Sequence, residues 1–179
     1  MTTTIKMSKK VFAIALVAAI SISLVGIGIS GMLVKVQPNV GEVKVVAETI
    51  GGFKVTDQEI CKENGKPIVY FFGSDSCPHC RWEHPIISDV ASQFSDYISF
   101  RDGMNNQDYM SVYQKYGNIN SGYVPFLIAG CKYARLGSGE QYDEQQERQY
   151  LTAVFCKLIN GSSDLCKSPE IADLMSQMP

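Results

Sequence analysis

The sequence predicts an α/β domain, strands alternating with helices, behind one membrane-spanning N-terminal helix. Three observations predict it. Short apolar runs bounded by turn residues alternate with stretches of helical periodicity between Phe53 and Asn160. Residues 11–34 are an uncharged run of 24, enough to cross roughly 30 Å of hydrocarbon as a helix. The remaining stretch of about 130 residues is an ordinary size for one domain.

The N-terminal run sets the expected location. Lys6, Lys9 and Lys10 precede it and only Lys35 follows closely, so the positive-inside bias puts residues 1–10 in the cytoplasm and everything from Lys35 outside. The run is too long for a typical signal-peptide core, although Ala18, Ala19 and Ser21 leave cleavage as the alternative. Residues 35–50 read as a linker and residues 51–179 as a single domain. Taking the four lysines up to Lys35 from sixteen basic residues leaves twelve against eighteen acidic ones, a formal net of −6 outside the membrane. That balance argues against a nucleic-acid partner.

The elements follow in order. Residues 53–55 read as a strand and 57–63 as a short helix. Ile68 to Phe72 is a continuous apolar run closed by Gly73, which reads as a buried strand. Over 77–94, Trp82, Ile86, Val90 and Phe94 recur at helical spacing, so the stripe reads as core. Pro85 removes one internal hydrogen bond and should bend that helix. A strand at 97–101 and a helix at 107–116 come next, then strands at 126–130 and 133–136. Residues 143–160 read as the last helix, with Asp143, Glu144 and Glu147 favouring its N-terminus and Lys157 its end.

Cys77-Pro78-His79-Cys80 sits where the buried strand gives way to the long helix. Two cysteines so spaced at such a junction can close a small disulfide and open it again. A helix N-terminus offers unpaired N–H groups and the positive end of the macrodipole, which stabilises a thiolate on Cys77 and makes it the expected nucleophile. Cys80, one turn on, is the expected resolving thiol. His79 can add an imidazole N–H or a positive charge near the sulfur, stabilising the reduced form and making the disulfide a stronger oxidant. The competing reading is a metal-binding or redox-inert chaperone using Cys77, His79, Cys80 and His84. Closed metal sites want four ligands, and no second CxxC is present.

Val124-Pro125 lies 45 residues beyond Cys80, ahead of Phe126-Leu127-Ile128-Ala129-Gly130. A cis bond there would turn the chain sharply and expose preceding backbone polar groups as a docking edge; a trans proline opening an ordinary strand is the alternative. Together, the apolar strand, the CxxC on a helix, Lys115-Tyr116-Gly117, Val124-Pro125, a strand pair around Cys131 to Leu136 and a final helix resemble a thioredoxin fold, over roughly residues 53–158. His in the second motif position and Val before the proline are similar to the DsbA-type thiol oxidases. The interval between the motif and the proline leaves no room for the helical insertion of bacterial DsbA. In both families an acid six positions before the first motif cysteine lies beneath the resolving thiol, and that place is Phe71 here. Asp75 and Glu83 are the nearest candidates to relay a proton, and both read equally as cap and solvated-face residues.

The resemblance implies a central mixed β-sheet flanked by helices and a thiol-disulfide oxidoreductase that introduces disulfides into exported proteins. Cys77, Cys80 and His79 would be catalytic, Val124 and Pro125 would bind substrate, and no cofactor or metal is expected. A quinone-linked membrane oxidase of the DsbB or VKOR type would reoxidise the pair. A tethered reductase or isomerase is the alternative. With Cys77 and Cys80 paired, the other four cysteines allow three connectivities. In a thioredoxin-like sheet, Cys131 at the far end of its strand would meet Cys61, and Cys156 could close locally onto Cys166 across the turn at Asn160-Gly161. Four free buried thiols are the other possibility.

Overall fold

The computed structural model describes residues 42–179. Among them, seven strands and five helices form a mixed α/β fold. The strands are β1 (Val45–Glu48), β2 (Lys54–Thr56), β3 (Lys62–Glu63), β4 (Lys66–Gly73), β5 (Ser99–Met104), β6 (Phe126–Ala129) and β7 (Tyr133–Leu136). The helices are α1 (Pro78–Gln93), α2 (Met110–Lys115), α3 (Gly117–Asn120), α4 (Glu144–Leu158) and α5 (Pro169–Ser176). The sheet runs β1-β2-β7-β6-β4-β3, and β5 also pairs with β4. β5 is parallel to β4, from Ile68↔Ser99 to Gly73↔Met104, and the other pairings are antiparallel.

Strand alternation builds two cores. Val69 and Phe71 of β4, with Leu127 and Ala129 of β6, join Ile86, Ile87, Val90 and Phe94 on one face, together with Leu151, Val154 and Phe155 of α4. Tyr70, Phe72, Phe126 and Ile128 point the other way, to Tyr113, Tyr116 and Ile119. Because β4 and β6 are covered on both faces, they read as unbroken apolar runs rather than alternating ones. The α1 stripe is core as its spacing predicts: Ile86, Val90 and Phe94 are buried and Trp82 packs against them. α1 continues through Pro85.

Several expectations are corrected. Residues 57–63 are not a helix: Lys62–Glu63 is β3, folded onto Lys66 and Pro67 of β4. The turn is Asn64-Gly65, at φ 50 and 81, and two successive positive φ values are what a tight type I′ hairpin demands. The linker of residues 35–50 ends too late, since Val45–Glu48 forms β1 on the edge of the sheet and Val43 is fully buried. Here a run of β-branched residues pairs with β2 instead of trailing as a tether. The helix expected at 107–116 is α2, with α3 following after Tyr116. The chain beyond α4 is ordered into a 3-10 turn at Asp164–Lys167 and then α5, whose Met175 carbonyl and the Met178 carbonyl beyond it accept from Lys157 Nζ. Among the described residues no helix is long and apolar enough to cross a membrane; the expected span at 11–34 and the cytoplasmic residues 1–10 lie outside them.

Two disulfides tie this frame, one across a sequence separation of 70 and one closing locally across 10. Cys61 and Cys131 have Cα atoms 5.4 Å apart, and Cys156 and Cys166 5.5 Å. Cys61 is placed by its own backbone, whose N–H donates to the Gly130 carbonyl at 3.0 Å. The first pair is partly exposed, whereas Cys156 is fully buried and Cys166 nearly so. Limiting reductant in native buffer is therefore expected to open Cys61–Cys131 well before Cys156–Cys166, because access limits thiol attack. Alkylation followed by peptide mapping checks the order.

Candidate functional site

β4 ends at Gly73, and a short turn delivers the chain to the first residue of α1. Cys77 is the N-cap, with extended backbone at φ −92 and ψ 116, and Pro78 follows at the position where a missing N–H costs nothing. The Cys77 sulfur does what a capping oxygen usually does: it accepts from the Cys80 N–H at 3.3 Å. The sulfur therefore stands at the N-terminal end of α1, capped onto its first turn. The Cys77 thiol is also 3.7 Å from the Val124 carbonyl, to which it donates.

Cys80 differs sharply. It is fully buried, while Cys77 is partly exposed. Burial first, and then the hydrogen bond with Cys77, push its thiol up to about 12. One cysteine therefore faces solvent at a helix N-terminus, and the other lies beneath it with every reason to stay protonated.

Opposite them stands the loop before β6. The Val124-Pro125 bond is cis, and Pro125 is buried. Asn120, itself buried, holds the approach to it: its side-chain amide donates to the Tyr113 carbonyl and its oxygen accepts from the Gly122 N–H, both at 2.8 Å. Tyr113 Oη donates to the Tyr123 carbonyl at 2.9 Å. Asn120 carried no sequence signal, since an asparagine before Ser-Gly reads as an ordinary turn residue.

His79 is exposed, and its Nδ1 bonds the Glu140 carboxylate on the loop after β7. The His79 hydrogen bond, helped by Ser138 Oγ, holds the Glu140 carboxyl below its usual range. His84 is bonded through Nε2 to Asp102 at 2.8 Å, and its ring packs on Phe71. The metal reading of Cys77, His79, Cys80 and His84 thus finds its two histidines engaged with different carboxylates. Among the described residues no three of His, Cys, Asp and Glu are grouped so as to hold a metal ion.

Of the two carboxyls nearest the motif, Asp75 is exposed, bonded to Asn105. Glu83 is not on a solvated face: it is 1 % exposed. Its Oε1 accepts from Arg135 Nη2 and its Oε2 from the Gly139 N–H, each at 2.8 Å. Arg135 also meets Glu147 at 2.6 and 3.0 Å and lies over the Phe53 ring. One guanidinium thus serves two buried carboxylates, joining α1 to β7 and α4. Burial, opposed by Arg135, pushes the Glu83 carboxyl up to about 7. No protein-family model matches the chain, and no curated protein matches it.

Proposed function

We propose that this chain is a thiol-disulfide oxidoreductase of the thioredoxin type, exchanging disulfides with protein thiols through Cys77 and Cys80. The observation that carries the reading is the contrast between the two sulfurs: Cys77 caps a helix and faces solvent, and Cys80 is buried one turn below with its thiol pushed up to about 12. The fold half of the reading rests on β5-β4-β6-β7, with β5 parallel and the others antiparallel, α1 and α4 packed on one face and α2 and α3 on the other.

In the direction proposed, the pair begins as a disulfide. A substrate thiolate attacks Cys77 Sγ, the Cys77–Cys80 bond breaks, and Cys80 leaves with the bonding electrons and takes a proton. A second substrate thiolate then attacks the substrate sulfur of the mixed disulfide and releases Cys77 as a thiolate, leaving the substrate oxidised and the protein reduced. With Phe71 at the place where the resemblance expects an acid, the Cys80 proton is proposed to come from water, because both Glu83 oxygens already accept hydrogen bonds, from Arg135 Nη2 and from the Gly139 N–H.

The substrates proposed are cysteine-bearing exported proteins, on the strength of the run at 11–34, and a quinone-linked membrane oxidase of the DsbB or VKOR type would restore the disulfide. Equilibration of the full chain with glutathione tests the direction. A potential between about −180 and −120 mV is expected for a disulfide donor, and one near −270 mV would make the chain a reductant instead.

A further inference from the structure

The loop between β7 and α4 is fastened along its length. The Gly137 N–H donates to the Pro125 carbonyl at 2.9 Å, and the Tyr142 N–H closes back onto the Gly139 carbonyl at 2.8 Å. Between them the Gly139 N–H donates to the buried Glu83 Oε2 at 2.8 Å. A Cβ placed on Gly139 would collide with the Glu147 carboxylate, so the backbone there lies directly on the buried ion network. Ser138 Oγ donates to Glu140 Oε2 at 2.9 Å. Glu140 is thus carried to His79 by a segment that the core holds in place.

The ring it meets adjoins the reactive sulfur in sequence. The His79 side chain is 66 % exposed, so the bond to Glu140, rather than packing, decides where the imidazole lies. A carboxylate can only accept, so Nδ1 carries a proton and donates it to Glu140. In the neutral ring that is the one proton present, and Nε2 has none to offer a sulfur. Among the described residues, the partners of Cys77 Sγ are the Cys80 N–H and the Val124 carbonyl, and the imidazole is not one of them. The donor that the motif places next to Cys77 is turned to another acceptor.

We propose that Glu140 is a positioning residue that acts on the Cys77–Cys80 pair through His79, holding the imidazole off the sulfur and making the disulfide a weaker oxidant than the motif alone would make it. The proposal rests on the exchange chemistry proposed above for Cys77. A histidine free to donate to the Cys77 sulfur stabilises the reduced form; Glu140 withholds that donor. Its own charge works in the same sense, since a carboxylate near a thiolate disfavours the anion. Glu140 is 61 residues from His79, so two chains with the same Cys-Pro-His-Cys could differ in potential through this loop alone.

The experiment equilibrates the full chain, in mild detergent, with glutathione and its disulfide, and reads the reduced fraction of Cys77 and Cys80 by alkylation and peptide mapping. Two glutathione thiols give two electrons and two protons to the pair and leave joined as one disulfide, so the equilibrium constant measures the stability of the reduced form. Glu140→Ala should raise that constant about tenfold, the low end of what one charge-assisted hydrogen bond supplies, and for a two-electron couple this is about 30 mV more oxidising. In a His79→Ala background the same substitution should change it by less than about twofold, the sign that the two residues act as one unit. A constant unchanged or lowered by Glu140→Ala would overturn the proposal while leaving exchange at Cys77 intact. An equal rise with and without His79 would show the carboxylate acting on the sulfur directly, and would overturn it too. A pair that never equilibrates with glutathione in the unsubstituted chain would sink the exchange reading and this inference together.

Discussion

Cys77→Ser should abolish disulfide exchange outright, and Cys80→Ser should leave Cys77 able to attack but unable to let go, so that mixed disulfides with substrate accumulate. The asymmetry follows from position rather than from the motif alone. The Cys77 sulfur sits at the N-terminus of α1, accepting from the Cys80 N–H, where a partner can reach it. Cys80 has no exposed surface, and its thiol is pushed up to about 12 by burial and by Cys77. In the reduced protein at pH 8, a small alkylating reagent should accordingly label Cys77 first and Cys80 only after unfolding. Labelling in the reverse order, or exchange surviving Cys77→Ser, would mean that the roles of the two thiols have been exchanged.

Arg135→Leu is expected to be the most damaging substitution outside the motif. It would leave Glu83 and Glu147 facing each other, both essentially buried, without the cation that now lies 2.8 and 2.6 Å from them. Removing one partner of a buried ion network typically costs about 3 to 5 kcal/mol, much of it the penalty of the charge left behind. The loss should depend on pH in a definite direction. Burial already raises the Glu83 carboxyl to about 7, above its ordinary 4.5, so its ionisation opposes folding: its contribution is most favourable below 4.5 and declines as the pH rises towards 7. Without Arg135 that carboxyl is raised further. Urea melts should therefore show the full deficit at pH 8 and a much smaller one at pH 5, where the Glu83 carboxyl takes up a proton. A deficit equal at both pH values would show that Arg135 contributes packing over Phe53 rather than charge. Replacing all three charges by apolar residues of similar volume should restore much of what Arg135→Leu removes.

The network is also where sequence reading had least to work with. Glu83 and Glu147 fall at positions where a carboxylate on a helix is ordinarily solvated, and nothing local separates a buried charge from an exposed one. The distinguishing fact is a partner 52 residues from Glu83, brought near only by the folded sheet. His79 and Glu140, 61 residues apart, pose the same difficulty. What was legible had a local cause. β4 and β6 are apolar throughout because both faces are covered, α1 shows its stripe at a spacing of four, and Cys77 stands where strand turns to helix. The β3–β4 hairpin was legible too: Asn64-Gly65 is a strong short hairpin signal, and the helix expected over 57–63 stops just short of it and takes in β3. β1 is harder, a four-residue edge strand whose stability comes from β2 rather than from its own composition.

The Cys61–Cys131 bridge spans a sequence separation of 70, and the span it closes contains β3, β4, α1, β5, α2, α3 and β6. Both reactive sulfurs, the Val124-Pro125 turn and Glu83 thus lie on one covalent ring, while Arg135 and Glu147 lie on the chain outside it. A single backbone cut anywhere within the ring would open it without releasing a fragment. The two new ends would stay joined through sulfur, and the halves of the reactive site would stay tethered at the tip of the β6–β7 hairpin. Whether the halves stay together after nicking would then depend on the redox state of their surroundings, through a disulfide separate from Cys77 and Cys80.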